Sequence, residues 1–219
     1  NMKSENNQWL QAVGTLVADE SHLLTVAGRG DHLESGFIKY AKVTECQGRF
    51  VLLSATLPNV DEVGQWVSAL NGMPTYVIES SYRPVQLKIH WSPYAVAQWY
   101  DETEESKVAS ALEKVLQHPE DKFLVFVHTK NTGNKMVQAL AEAGVPAEFH
   151  NANLDTRKRK ELEGRFRNDK SFRVLVATST LAWGVNVPAR RVVIVGVHRG
   201  LQEVEKYDID QECGRAGRP

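Results

Sequence analysis

Cysteine is nearly absent: Cys46 and Cys213 are the only two in 219 residues. Two thiols cannot build a disulfide framework, so a reducing compartment is expected, the cytoplasm or, in a eukaryote, the nucleus. No apolar run approaches the ~20 residues of a membrane-spanning helix, and no membrane partner is expected. An excess of one charge is missing too. Lys+Arg number 26 and Asp+Glu 27, a net charge of −1, so any binding to polyanions has to come from local patches. The 7 histidines show no metal-ligand spacing with the cysteines. At 42% hydrophobic and 24% charged residues, the composition excludes disordered and fibrous classes. The length suits one large domain or two small ones, at roughly 150 residues per domain.

Residues 15–18, 50–53, 76–78, 123–127, 174–177 and 192–195 are short, continuous apolar runs. Without polar alternation, they predict strands buried on both faces, as in a parallel sheet covered by helices. Helical stripes lie between them. Asn59 and Glu62 suggest a capping box ahead of Val63, Trp66, Val67 and Leu70. Further stripes are Val108, Leu112, Val115 and Leu116; Met136, Val137, Leu140 and Ala141; and Leu154, Leu162 and Phe166. Strand–helix alternation of this kind predicts an α/β fold. Periodicity fails around Arg83-Pro84 and Ser92-Pro93, and the acidic run 101–105 reads as a solvated face or a helix start. This divides the chain into a first domain at 1–82, a linker at 83–105 and a second domain at 106–219.

In open parallel sheets, ligands bind beyond the carboxyl ends of the strands. Several apolar runs end there in suggestive residues. Asp19-Glu20 follows the first; the aspartate is of a kind that holds Mg²⁺ against nucleotide phosphates, and the glutamate of a kind that takes a proton from water. Taken alone, the pair could equally start a turn. Ser54-Ala55-Thr56 follows the second run, and taken alone it suits an ST-turn as well as a nucleotide sensor. Gly214-Arg215-Ala216-Gly217-Arg218, with Gln211 just before it, is more specific. Arginines set among small residues suit neutralisation of a γ-phosphate.

The order of these strings, Asp19-Glu20-Ser21-His22, then Ser54-Ala55-Thr56, then residues 178–189, then Gln211 to Arg218, resembles superfamily-two helicases. Residues 53–59 (Leu-Ser-Ala-Thr-Leu-Pro-Asn) and Tyr82-Arg83-Pro84-Val85 are similar to the Ski-type branch, with DNA- and RNA-unwinding members. The resemblance implies two RecA-like parallel-sheet domains in tandem, the first incomplete. It implies ATP and Mg²⁺ as cofactors and a single or forked strand of DNA or RNA as partner, with the motor working as a monomer.

Carried over by position, the resemblance gives Asp19 the Mg²⁺ and Glu20 the catalytic carboxylate. His22 links hydrolysis to movement, with Ser54 and Thr56 in the coupling motif and Gly184 and Asn186 in a loop sensing nucleotide and strand. Gln211, Arg215 and Arg218 match the last motif, and Thr129, Thr178 and Thr180 lie near the nucleic-acid backbone. In the resembling branch a β-hairpin within 198–210, here turning at Gly200, helps part the duplex; a surface connection of no special role is the alternative for this segment.

Ser21 departs from the family, which more usually has Ile or Val there. No Gly-x-x-x-x-Gly-Lys-Ser/Thr phosphate loop occurs. The family carries that loop upstream of Asp-Glu-x-His, so the sequence reads as part of a longer helicase and is expected to hydrolyse little ATP by itself. The alternative is a scaffold that kept the motor fold and binds nucleic acid without hydrolysis.

Overall fold

A computed structural model of the chain describes residues 8–25, 30–54, 57, 59–80, 82–181, 187, 189–200 and 202–217. The chain divides into two compact units, residues 1–81 and 82–219.

In the first unit, β1 (Thr15–Ala18) and β2 (Arg49–Leu52) pair in parallel, Leu16 opposite Phe50. Helix α1 (Gly30–Val43) crosses between them, and α2 (Val60–Asn71) follows β2. The core is aromatic. Phe37 of α1 stacks on Trp66 of α2 at 5.7 Å between centroids, and Phe50 meets Phe37 at 5.5 Å and Tyr40 edge-on at 5.3 Å. Tyr40 donates its hydroxyl to the Val13 carbonyl at 2.8 Å. Its ring passes so close to Gly48 that a Cβ there would stand 2.5 Å from it, which requires glycine.

Two expectations fail in this unit. β1 is not buried on both faces: Val17 is 58% exposed, because β1 and β2 form only a two-stranded sheet among the described residues. Residues 76–78 make no strand. They follow α2 without a ladder partner, their segment tied through the Thr75 N–H to Ser68 Oγ at 3.1 Å, and Tyr76 and Ile78 are largely exposed. The capping box of α2 is also replaced: Asn59 makes no side-chain cap and donates Nδ2 to Glu62 Oε2 at 3.3 Å.

The second unit is a parallel sheet in the order β4-β5-β3-β6, formed by β3 (Phe123–Val127), β4 (Ala147–His150), β5 (Val174–Ala177) and β6 (Arg191–Val195). β3 and β5 are buried throughout. Alternate residues serve opposite layers, as the strand period of two demands. Phe123, Val125 and Val127 pack with Val108, Val115, Met136 and Leu140 of α3 (Tyr100–Leu116) and α4 (Lys130–Glu142). Leu124 and Phe126 pack with Leu162 and Phe166 of α5 (Thr156–Asn168). Thr129 caps α4 by accepting from the Thr132 N–H, and Asp155 caps α5 by accepting from the Lys158 N–H.

The acidic run 101–105 lies within α3, which begins at Tyr100, so the end of the stretch read as a linker is helical. After β6 come a short antiparallel hairpin, β7 (His198–Arg199) with β8 (Gln202–Glu203), and α6 (Lys206–Cys213). Gly200 turns the hairpin with φ +64°, a conformation suited to glycine. Among the described residues no helix is long and apolar enough to cross a membrane.

Candidate functional site

In the first unit the strand ends converge as the fold requires. The Leu53 N–H bonds the Ala18 carbonyl, and the Ser21 N–H bonds the Leu53 carbonyl, each at 2.8 Å. The fully buried Ser21 hydroxyl donates to Ala18 O at 2.8 Å. A serine at this position, in place of the family's apolar residue, thus ties the chain leaving β1 back onto the strand. Between them, Glu20 takes φ +54°, a region non-glycine residues rarely occupy, at a cost of order 1–3 kcal/mol. Its N–H turns onto Asp19 Oδ1 at 2.9 Å.

His22 is buried, and its Nδ1 lies 3.4 Å from Glu20 Oε2 and 3.5 Å from Ser54 Oγ. Burial lowers its pKa more than the nearby Glu20 and Asp19 carboxylates raise it. The contact with Glu20 is therefore one between a neutral imidazole and a carboxylate at neutral pH. Asp19, Glu20, His22 and Ser54 are brought together; Thr56 lies outside the described residues.

Asp19 is exposed at the strand tip. One accessible carboxylate fits Mg²⁺, which keeps several waters and is commonly shared between one or two carboxylates and substrate phosphates. Among the described residues no group of three or more His, Cys, Asp or Glu could hold a metal ion.

In the second unit the strand ends carry a buried polar chain that the sequence reading missed. Thr129 Oγ1 meets Thr132 Oγ1 at 2.7 Å, and Thr132 donates to Glu104 Oε2 at 2.5 Å. Glu104 Oε1 pairs with Lys107 Nζ at 2.7 Å, and Lys107 lies over the Tyr94 ring. Glu104 is only 4% exposed, inside a run read as a solvated face or helix start. The Thr129 hydroxyl is thereby committed to holding α4, so what this corner offers a phosphate is the α4 N-terminus. His128, beside it, is buried and donates Nε2–H to Gly196 O at 2.9 Å. Burial lowers its pKa above all; Arg199 and Lys107 add to the effect, against the Gly196 bond and Glu104. At the end of β5, the Thr178 N–H bonds the His150 carbonyl at 3.1 Å. The Thr180 side chain, Gly184 and Asn186 lie outside the described residues.

The last motif falls on α6 and the turn after it. Gln211 is half-buried on the helix, Arg215 is buried, and Arg218 lies outside the described residues. The neighbour of Gln211 is unexpected. Glu212 is fully buried, and neither carboxylate oxygen has a hydrogen-bond partner among the described residues. Burial, helped by Asp208 and opposed by Arg199, pushes its pKa from 4.5 up to about 8.

The folded chain keeps this proton up to about pH 8, whereas the unfolded chain releases it above 4.5. The stability gained is fully present below pH 4.5 and is lost as pH rises towards about 8. A shift of this size corresponds to at most roughly 5 kcal/mol. Urea unfolding of this unit is expected to weaken across that window, and Glu212→Gln to flatten the dependence. An unchanged pH profile in Glu212→Gln would contradict the buried-proton assignment.

A family described as helicase conserved C-terminal domain matches residues 106–219, just over half of the chain, and DEAD/DEAH box helicase matches residues 1–63. The chain belongs to the superfamily-two helicases. Its relatives place it in the Ski-type branch of these helicases. It is 31% identical, over 96% of its length, to the ATP-dependent DNA helicase Hel308 of Thermoplasma volcanium, covering 34% of that protein. It is 31% identical to the mouse activating signal cointegrator 1 complex subunit 3 and 28% identical to the pre-mRNA-splicing factor brr2 of Schizosaccharomyces pombe, with 12% of each covered. The chain spans about a third or less of these curated relatives. In fold it is similar to S. cerevisiae Dbp5 bound to RNA and ADP BeF3, with TM-score 0.64 and 24% identity over 93% of this chain and 50% of that one. The architecture is RecA-like α/β with parallel sheets.

Proposed function

We propose that this chain is the motor part of an ATP-dependent helicase that moves along one strand of DNA or RNA. The observation that carries the reading is the convergence of Asp19, Glu20, His22 and Ser54 on the ends of β1 and β2. When bound, Mg²⁺·ATP supplies the electrophilic γ-phosphorus and the ADP leaving group. Asp19 holds the hydrated cation through its exposed carboxylate. Glu20 accepts the proton of the attacking water and is aimed by its left-handed backbone. Neutral His22 passes the state of Glu20 to Ser54, and Thr56, Gly184 and Asn186 extend that coupling. Arg215 and Arg218, with Gln211, neutralise charge growing on the transferred phosphoryl group. Thr129, Thr178 and Thr180 set the strand ends that face the nucleic-acid backbone. The 219 residues contain no phosphate loop, so turnover is expected only in a protein that joins this chain to one.

Against the non-hydrolysing scaffold stands the presence of Asp19, Glu20, Arg215 and Arg218, which a motor without hydrolysis would be free to lose. The two readings separate in the ATPase of such a joined protein, with single-stranded DNA and RNA added in parallel. Stimulation by either supports the motor and names the substrate; binding of both without stimulation supports the scaffold.

The β7–β8 hairpin extends this reading. Both strands are exposed, and the Val204 N–H closes the hairpin base onto Val197 O at 2.8 Å. We infer that it parts the duplex, with Val204 and Tyr207 near the terminal base pair. Deleting residues 199–202 is expected to abolish unwinding while leaving strand-stimulated ATPase close to that of the parent. Equal loss of both, or of neither, would remove the hairpin from strand separation.

A further inference from the structure

The turn that carries Arg215 is gripped from two sides. On one side the Gly217 N–H bonds the Ala189 carbonyl at 2.8 Å, and Ala189 and Ala216 form a parallel bridge. On the other, Arg83 donates Nη2–H to the Ala216 carbonyl at 2.6 Å, across 133 residues of sequence. Val85 closes over the same turn: a Cβ at Gly217, whose φ is +64°, would stand 3.0 Å from Val85 Cγ1. Pro84 between them disfavours a helical backbone at Arg83. The Arg83 guanidinium also places a cation beyond the C-terminus of α6, where the helix dipole favours one. A charge-assisted bond to a carbonyl, on a turn with a left-handed glycine, fixes the direction in which residue 215 leaves the backbone.

We propose that Arg83 is a positioning residue for phosphoryl transfer: its hydrogen bond to Ala216 O, backed by Val85 against Gly217, sets the turn from which Arg215 reaches the γ-phosphate. Arg83 touches no nucleotide in this scheme and acts only through Arg215. The inference rests on the reading of Arg215 given above and deepens it.

Misplacing a catalytic group by ~1 Å costs up to about 10²-fold in rate. In the protein that joins this chain to a phosphate loop, Arg83→Ala is expected to lower kcat for ATP by about 10- to 100-fold with KM within about twofold. Arg83→Lys, which keeps a cationic donor, is expected to recover part of that loss.

The deciding test is the cycle of Arg83→Ala, Arg215→Ala and the double variant, all assayed below the melting temperature of the least stable. If Arg83 acts through Arg215, the double variant is as slow as Arg215→Ala alone. Additive losses, or an Arg83→Ala kcat equal to the parent, overturn the proposal. An Arg215→Ala variant with normal turnover overturns instead the reading of Arg215 on which it rests. Should Arg83→Ala fail to fold, Arg83→Gln takes its place in the cycle under the same criteria.

Discussion

Glu20→Gln is expected to bring ATP turnover to background while nucleotide binding survives. The amide has nearly the shape of the carboxylate, so the turn after β1 stays intact, with the Glu20 N–H on Asp19 Oδ1 and Ser21 tied to Ala18 and Leu53. The amide cannot accept the proton of the attacking water, and general-base catalysis supplies about 10²–10⁴-fold. A left-handed backbone at a non-glycine residue, held on both sides by hydrogen bonds, is a costly way to aim a side chain. That cost makes sense if the direction of the carboxylate matters. Steady-state ATPase together with nucleotide-binding titration, in the protein that includes a phosphate loop, checks the expectation. Turnover near the parent rate would remove Glu20 as the base; lost binding would assign it to holding the nucleotide.

The second large effect concerns the arginines of the last motif. Arg218→Ala is expected to cut turnover by about 10³–10⁵, the range by which an arginine finger accelerates phosphoryl transfer. Its melting curve should match the parent. Arg215 is buried, at 6% exposure. Its truncation should cost stability as well as rate, since removing a buried cation leaves its neighbours' polar groups without it. Rates measured on folded protein, beside thermal melts, separate the two contributions. A folded Arg218→Ala protein that turns over normally would take Arg218 out of the chemistry.

The second unit was the more legible half. Phe123 to Val127 and Val174 to Ala177 read as runs without alternation, and both are buried throughout, because helices cover the two faces of that sheet. Similar runs at 15–18 and 76–78 misled. A continuous apolar run reports burial only where both faces are covered, and Val17 and Ile78 are 58% and 91% exposed. Helix α1 went unread although Leu33, Phe37, Tyr40 and Ala41 keep helical spacing, since glycines at 30 and 36 interrupt the stripe. Strand β4 escaped because Glu148 breaks a short run.

The site shows a parallel division. Asp19, Glu20, His22 and Ser54 were legible as an ordered set of strings, and the structure brings them together. Glu104 and Arg83 were not, since their roles come from contacts spanning 28 and 133 residues. Glu212 was hidden for another reason: a charged residue beside Gln211 looks like any helix-surface carboxylate until its burial is seen.

The central claim is that hydrolysis at the β1–β2 strand ends drives strand separation. It is tested most directly by strands released from a forked duplex per ATP hydrolysed, in the joined protein with and without Glu20→Gln. Release that requires ATP, tracks turnover and vanishes with Glu20→Gln is the predicted result. Release that persists in Glu20→Gln, or ATP turnover indifferent to nucleic acid, would contradict the account.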